Sequence, residues 1–199
     1  MATTDNSVWQ LATDGDVDEV KTRLRACPEE INKKAGPKFT TPLMQACANN
    51  HYDVVNVLLE AREVKADIRI RDKDDASCVH WAAGHSPQSL SLIISVVIQD
   101  GLEEELYTED HEGNTPLHCA AKSGQYASCT LLVAAGVEAP LKLKNHRGFT
   151  AEMIAYKLAE NKRTGDFLHK MRLCVEGKYA VDGKCYLCKL SLSFLCCNC

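Results

Sequence analysis

A short motif recurs along the chain at a nearly constant period. The segment TPLHCA begins at Thr115, and related segments begin at Thr41 (TPLMQA), Ser77 (SCVHWA) and Thr150 (TAEMIA). Their starts are 36, 38 and 35 residues apart. A weaker first copy, SVWQLATDGD, begins at Ser7. Periods of about 20 to 50 residues are typical of solenoids, in which each unit packs mainly on its neighbours.

The best-preserved copy has the start and stop signals of two short helices. Thr115 is predicted as an N-cap and Pro116 as the first helical residue, because threonine accepts an unpaired N–H and proline has none to lose. Gly124 and Gly136 are predicted to end the two helices, since glycine adopts the left-handed conformation without strain. Asn50 takes the position of Gly124 in the second copy. Each unit is therefore predicted to be a helix-turn-helix.

This unit resembles the ankyrin repeat, whose motif D-x-x-G-x-T-P-L-H-x-A-A-x-x-G is matched by DHEGNTPLHCAAKSG at residues 110–124. The resemblance implies an all-α solenoid of stacked helix-turn-helix units joined by hairpin-like fingers, followed by a short Cys-rich tail. We expect an ankyrin-repeat domain over 1–170 and a tail over 171–199 that could be disordered. The predicted repeats lie near 6–40, 41–76, 77–114, 115–149 and 150–170. The sequence leaves open whether the first and third repeats are fully formed.

The sequence contains no phosphate-binding, zinc-protease or serine-hydrolase motif, so we expect no enzyme activity. His118 beside Cys119 could suggest an activated thiol. However, His80 recurs at the same place in its repeat, and adjacent helical residues point about 100° apart. The pair is therefore predicted to be structural. The acidic string at 103–112 lacks the alternating ligands of a calcium loop and is predicted to be a solvated loop.

The net charge of -4 gives no general attraction to nucleic acid, so we expect no nucleic-acid partner. The N-terminal segment MATTDNSVWQ lacks the pattern of a secretory signal. The longest apolar run, at 90–98, is shorter than the roughly 20 residues of a membrane helix. We expect a cytoplasmic or nuclear monomer, or both locations, with reduced cysteines.

The resemblance implies that a protein partner binds to the finger tips and the concave face of the first helices. We predict a role as adaptor, scaffold or stoichiometric inhibitor, without a cofactor. Trp81 is predicted either to anchor the partner or to fill a gap between repeats. By register with the motif, the predicted partner-binding residues are Lys38, Thr40, Lys73, Asp74, Trp81, His85, His111, Glu112, Asn114, Lys122, Ser123, His146, Arg147, Phe149 and Lys157.

The cysteines of the tail allow a zinc site as one interpretation. Four thiolates complete a tetrahedral zinc site. Such a site would relate the chain to ubiquitin-ligase-type enzymes. A strand over 189–195 would instead hold the two cysteine pairs more than about 20 Å apart. The candidate ligands, spaced C-x2-C-x7-C-x2-C, are Cys185, Cys188, Cys196 and Cys199.

Lipid attachment and an inert C-terminus are the other two interpretations of the tail. Lipids on Cys196, Cys197 or Cys199 would make the protein a membrane-anchored adaptor. Without them, the tail is an irregular or truncated end whose cysteines have no joint role. Upstream of these cysteines, Asp182-Gly183 predicts a hairpin turn.

We expect an inert tail, and therefore the mass of the unmodified chain when protein from a eukaryotic host is measured by native mass spectrometry under reducing conditions. A gain of one zinc that is lost in Cys185→Ser would instead make the tail a metal-binding module. An acyl or prenyl increment would make the protein membrane-anchored.

Overall fold

The computed structural model describes residues 7–61, 64–136, 141–157, 160–175, 180–181 and 184–185. Within them, five pairs of α-helices follow one another along the chain. Two 3-10 turns, Pro28–Asn32 and Glu103–Leu106, lie between pairs. The helices are α1 (Val8–Asp14), α2 (Val17–Ala26), α3 (Pro42–Ala48), α4 (Tyr52–Glu60), α5 (Cys78–His85), α6 (Pro87–Gln99), α7 (Pro116–Lys122), α8 (Tyr126–Ala134), α9 (Ala151–Lys157) and α10 (Lys162–Val175).

The helix pairs form two layers. The first helix of each pair packs on the first helix of the next, from α1 through α9, and the second helices form a parallel row from α2 through α10. The inner row is closely packed because a fully buried alanine recurs at the same repeat position, as Ala46, Ala82, Ala120 and Ala155. Larger side chains such as Leu58, Leu90 and Leu132 fill the space between the rows. The predicted all-α solenoid is confirmed.

The predicted helix signals are found where the sequence placed them. The Thr115 hydroxyl and the His118 side chain form a reciprocal cap at the start of α7, and Pro116 is its first residue. Gly124 has φ of 66° and Asn50 has φ of 60°, so both adopt the left-handed conformation predicted for them. In the third repeat, Ser86 caps α6, so both helices of this repeat are formed.

The fingers, defined as residues 35–40, 71–76, 109–114 and 144–149, are joined to one another through the backbone. Lys73 N–H donates to the Lys38 carbonyl, and the equivalent bonds run from His111 to Asp74 and from His146 to Glu112, each 2.9 Å long. The bonds recur at the same positions of successive fingers. The finger tips are therefore held in a row with a fixed register.

A second connection between repeats uses the motif histidine. His80 Nδ1 accepts the Ser77 N–H at 3.2 Å, and Nε2 donates to the Asn114 carbonyl at 3.0 Å. His118 makes the same pair of bonds, to Thr115 and to the Phe149 carbonyl. Each imidazole thus caps its own helix and binds the next finger.

The first two repeats replace this histidine in different ways. Trp9 stands at the histidine position of α1, and its Nε1–H donates to Thr40 Oγ1 at 3.0 Å. Met44 Sδ accepts the Thr41 N–H at 3.4 Å, which reproduces the cap. A thioether has no proton to donate. The second repeat therefore lacks the bond to the next finger that its neighbours make.

The expectation of a solvated loop at 103–112 is corrected. The acidic string contains the second 3-10 turn, where Glu105 is buried and its carboxylate lies 2.7 Å from Arg71 Nη2. The ion pair stabilises a carboxylate that burial alone would destabilise. Helix α10 continues to Val175, past residue 171 where the tail was predicted to begin, and it buries Met171 and Cys174.

Beyond α10 the structure describes one short strand pair. β1 (Ala180–Val181) and β2 (Lys184–Cys185) are antiparallel, with Ala180 opposite Cys185 and Val181 opposite Lys184. This pairing fits the hairpin predicted from Asp182-Gly183, although those two residues lie outside the described part of the chain. The predicted repeat boundaries themselves stay predictions.

We expect Met44→His to stabilise the protein by about 1 kcal/mol, the usual contribution of one buried hydrogen bond. The new Nε2–H should donate to the Ala76 carbonyl, which occupies the position of the Asn114 and Phe149 carbonyls in the later fingers. The free energy of unfolding in urea would measure the gain.

The matched control is His80→Met, which makes the opposite exchange one repeat later. It should cost about 1 to 2 kcal/mol, because the Asn114 carbonyl loses a donor. Equal stability of Met44→His and the wild type would show that the missing bond does not weaken this junction.

Candidate functional site

The predicted partner-binding residues lie along one ridge, formed by the finger tips and the adjoining side of the inner helices. Most of them are exposed or half-buried, and two are not. Exposed at the fingers are Lys38, Lys73, His111, Glu112, His146 and Arg147, with Asp74 and Phe149 half-buried. On the inner helices, His85, Lys122, Ser123 and Lys157 are exposed and Trp81 is half-buried.

Thr40 and Asn114 are the two exceptions, with only 1% and 6% of their surface exposed. The Thr40 hydroxyl accepts from Trp9 Nε1–H and from Gln45 Nε2–H. The Asn114 carboxamide oxygen accepts from Asn145 Nδ2–H at 2.8 Å. Both side chains are therefore occupied inside the fold, and neither offers a free group to a partner.

A Trp81 cluster, made of Lys38, Asp72, Asp74, Trp81 and His85, joins the first two fingers to α5. Trp81 Nε1–H donates to Asp72 Oδ2 at 3.0 Å, and the His85 ring stacks on the indole with ring centroids 5.7 Å apart. Lys38 Nζ lies 5.1 Å from the indole centroid and 3.4 Å from Asp74 Oδ2. Trp81 therefore both packs between repeats and contributes to the surface.

Three fingers are fixed internally by the same pair of hydrogen bonds, in which one side-chain oxygen accepts two backbone N–H groups. Asp72 Oδ1 accepts the backbone N–H groups of residues 74 and 76, each at 2.9 Å. Asp110 and Asn145 hold the third and fourth fingers in the same way. The equivalent residue of the first finger is Gly36, which has no side chain. That finger is closed by backbone bonds between Ala35 and Thr40 instead.

The first finger contains a residue that the motif register did not select. Phe39 has φ of 52° and is 58% exposed. Its counterparts are Asp75, Gly113 and Gly148, all in the left-handed region. In GPKFT the glycine stands three residues earlier than in the third and fourth fingers, so the left-handed turn position is occupied by phenylalanine. That displaced glycine is the sequence signal that could have identified the residue.

Three cationic residues lie at the other end of the ridge and are called, with Phe149, the Phe149 cluster: Arg147 and Lys157 beside the ring, and Lys122 on the neighbouring helix α7. The guanidinium carbon of Arg147 is 6.0 Å from the Phe149 ring centroid, and Lys157 Nζ is 5.9 Å from it. Lys122 occupies in α7 the position that Lys157 occupies in α9, 35 residues later. Both of these helices pack side by side.

Between the two clusters, the third and fourth fingers are in direct contact. His146 Nδ1 lies 3.2 Å from the His111 carbonyl oxygen, and the His146 backbone N–H donates to the Glu112 carbonyl. Within the described ranges, no group of three or more histidine, cysteine, aspartate or glutamate side chains is arranged to hold a metal ion.

The His118–Cys119 pair is not arranged for thiol chemistry. His118 uses both ring nitrogens in the bonds described above, and its low solvent contact lowers the pKa of the imidazole. Burial raises the pKa of the Cys119 thiol to about 12. A thiol with so high a pKa is almost fully protonated near neutral pH and is a poor nucleophile.

The predicted metal and lipid sites in the tail fall almost wholly outside the described residues. Cys185 belongs to β2, but its side-chain surroundings are not described. Outside the described residues lie Cys188, Cys196, Cys197 and Cys199. In the part of the chain that is described, no helix is long and apolar enough to cross a membrane.

Comparison with known proteins identifies the repeat. The family model for ankyrin repeats matches in three copies, over residues 8–100 and 43–145. The chain is also 35% identical over 112 residues to the Homo sapiens transient receptor potential cation channel subfamily A member 1. That match covers 56% of this chain and 9% of the channel protein. The chain thus matches a small part of this relative.

We expect the protein to lose stability as the pH falls below about 6.5, the ordinary pKa of histidine. Burial lowers the pKa values of His80 and His118 in the folded state. The unfolded chain therefore takes up protons first, and stability falls with pH until the folded pKa is reached. Urea unfolding at pH 7.5, 6.5 and 5.5 would measure this slope.

The double variant His80→Met/His118→Met should be less stable at every pH but should show a shallower slope between pH 6.5 and 5.5. Ion pairing with Arg23 and Arg69 lowers the pKa values of Glu30 and Asp67, away from this window. Burial raises the pKa of Glu105, but this residue is present in both proteins and does not contribute to the difference between their slopes. An unchanged slope in the double variant would show that His80 and His118 do not cause the loss of stability at low pH.

Proposed function

We propose, from the premise that this chain belongs to the ankyrin-repeat family, that it acts as a non-catalytic protein-binding module. Ankyrin repeats are generally protein-interaction modules, and the family is typically non-catalytic. We place the binding surface on the ridge of finger tips and inner helices. The residues that repeat along the chain are used for packing, so those that vary along this ridge are available to recognise a partner.

The observation that carries this proposal is Phe39 at the tip of the first finger. Placing a residue with a Cβ in the left-handed conformation costs about 1 to 2 kcal/mol. The same turn position is glycine in the third and fourth fingers, at Gly113 and Gly148, so the fold itself does not require a large side chain there. A strained and exposed aromatic residue is typical of a site kept for function.

Phe39 is placed to act as an anchor. A buried aromatic side chain contributes about 150 to 250 Å² of contact. The neighbouring Trp81 cluster adds a half-buried indole. Lys38 links Phe39 to this cluster, because it is the residue before Phe39 and its Nζ lies over the Trp81 ring. The first finger is fixed to the second through the Lys38 carbonyl. A partner would therefore meet an ordered surface, which reduces the entropy lost on binding.

We propose that this module serves as an adaptor, scaffold or stoichiometric inhibitor in the cytoplasm or nucleus, as a monomer. The match to the cation channel subunit covers too little of that protein to carry its activity over to this chain. The proposal is supported by the family match and by the residues of the ridge, Phe39 above all.

We expect Phe39→Gly to stabilise the protein while weakening its capture of a partner by roughly 10-fold or more, the effect of losing an interface anchor. Relief of the left-handed strain should outweigh the greater chain entropy of glycine, for a net gain of about 0.5 to 1 kcal/mol. Thermal unfolding would give the stability. Affinity purification of the full chain from cells, with quantitative mass spectrometry, would give the capture.

Asp75→Gly is the matched control, because Asp75 occupies the same turn position of the second finger, with φ of 62°. It should give an equal or smaller gain in stability, since aspartate tolerates the left-handed region better than phenylalanine. It should leave the captured proteins unchanged. A Phe39→Gly variant that captures them as well as the wild type would overturn the proposal.

A further inference from the structure

The Phe149 cluster brings cationic groups together around one aromatic ring. Arg147 comes from the fourth finger and Lys157 from the last turn of α9, and both lie within about 6 Å of the ring centroid. Their charged groups are therefore within about 12 Å of each other. Lys122 lies at the equivalent position of α7, which packs on α9, and the axes of packed helices are about 8 to 10 Å apart.

These cations have no carboxylate partner in the described part of the chain. Lys122, Arg147 and Lys157 are exposed, and the ion pairs found there include none of them. By contrast, Lys38 at the other end of the ridge is paired with Asp74. The positive charge of the Phe149 cluster is therefore available to an external anion.

Two carboxylates near this cluster are already occupied. Glu152, the single acidic residue of 141–157, accepts from Arg172 Nε–H and contacts His169 Nδ1, both at 2.8 Å. Glu112, on the third finger, accepts from Asn114 Nδ2–H at 3.1 Å. Neither can neutralise the cluster without giving up a bond that supports the fold.

The spacing of the cations suits an extended peptide. Side chains i and i+2 of an extended chain point to the same side and lie about 6.6 Å apart. Carboxylates at i and i+2, or at i and i+4, therefore span the distance between neighbouring cations of the cluster. The half-buried Phe149 ring between them gives the aliphatic part of a glutamate side chain an apolar surface to lie on.

The surroundings disfavour a long polyanion. The acidic string at 103–112, which continues into the third finger, contains exposed Glu103, Glu104, Glu109 and Glu112 and no lysine or arginine. A duplex carries one phosphate charge per about 1.7 Å of axis, and a membrane presents a wide anionic plane. Either would have to lie against this acidic finger, whereas a short peptide segment need not.

From these observations we infer that the protein partner presents a short, extended acidic segment, and that its carboxylates bind Lys122, Arg147 and Lys157 around Phe149. This inference rests on the proposed function and specifies the chemistry of the partner at one end of the ridge. Phe39 and the Trp81 cluster, at the opposite end, would contact a different part of the same partner.

The test is fluorescence polarisation of the full chain with a labelled ten-residue peptide that alternates glutamate and threonine. A peptide in which glutamine replaces each glutamate is the neutral comparison. We expect the acidic peptide to bind at least about 10-fold more tightly than the neutral one, since each rim ion pair contributes up to roughly 5-fold. Raising the ionic strength from about 0.1 to 1 M should abolish the difference, because the Debye length falls from about 10 to 3 Å.

The variant Lys122→Glu/Arg147→Glu/Lys157→Glu should lose binding of the acidic peptide and gain binding of a peptide that alternates lysine and threonine. The control variant Arg25→Glu/Lys34→Glu/Lys65→Glu has the same net charge as the first triple variant, but it changes exposed residues outside the Phe149 cluster. It should therefore bind the acidic peptide as tightly as the wild type does. Equal loss in both triple variants would overturn the inference, because net charge would then explain the binding.

Three further results separate this inference from its alternatives. Binding of RNA or of anionic phosphatidylserine vesicles at least as tight as that of the peptide would overturn it. A triple variant that binds neither acidic peptide nor partner, while Phe39→Gly also loses the partner, supports both proposals. If the charge reversal leaves capture of the partner intact while Phe39→Gly abolishes it, the inference of an acidic segment is wrong and the proposed function stands.

Discussion

The stack depends on side chains that satisfy a helix end and bind the next finger at the same time. His80 and His118 do this with the two nitrogens of one ring, because Nδ1 can accept while Nε2 donates. A helix pair of this size cannot bury its apolar face alone. Because each imidazole bonds both its own helix and the next finger, a folded repeat stabilises the repeat that follows it. Met44 keeps the cap but not the bond to the next finger, which leaves this junction to packing and to backbone bonds.

Because the finger backbones are held in place, their outward side chains are free to differ without loss of the fold. Asp72, Asp110 and Asn145 fix three fingers through the same pair of bonds. The first finger lacks this device, since Gly36 stands at the equivalent position. It is also the finger that holds a phenylalanine in the left-handed conformation. Structural regularity and functional variation thus occupy different positions of the same short loop.

Much of the fold could be predicted from the sequence because its signals are local. Threonine, proline and glycine at helix ends act within a few residues, and the repeat period gives the order of stacking. What could not be predicted depends on distant partners. Glu105 is buried because Arg71, 34 residues away, pairs with it. Thr40 and Asn114 are buried because Trp9 and Asn145 bind them, and motif register alone does not reveal those bonds.

A net acidic protein can still recognise an acidic partner, because electrostatic recognition is local. At physiological ionic strength the Debye length is about 8 Å, so exposed charges separated by more than this distance are largely screened. The Phe149 cluster therefore presents positive charge despite the overall -4. The adjacent acidic finger then acts by repulsion, because it raises the free energy of any anion too large to fit the cluster. Specificity of this kind depends as much on the excluded ligands as on the accepted one.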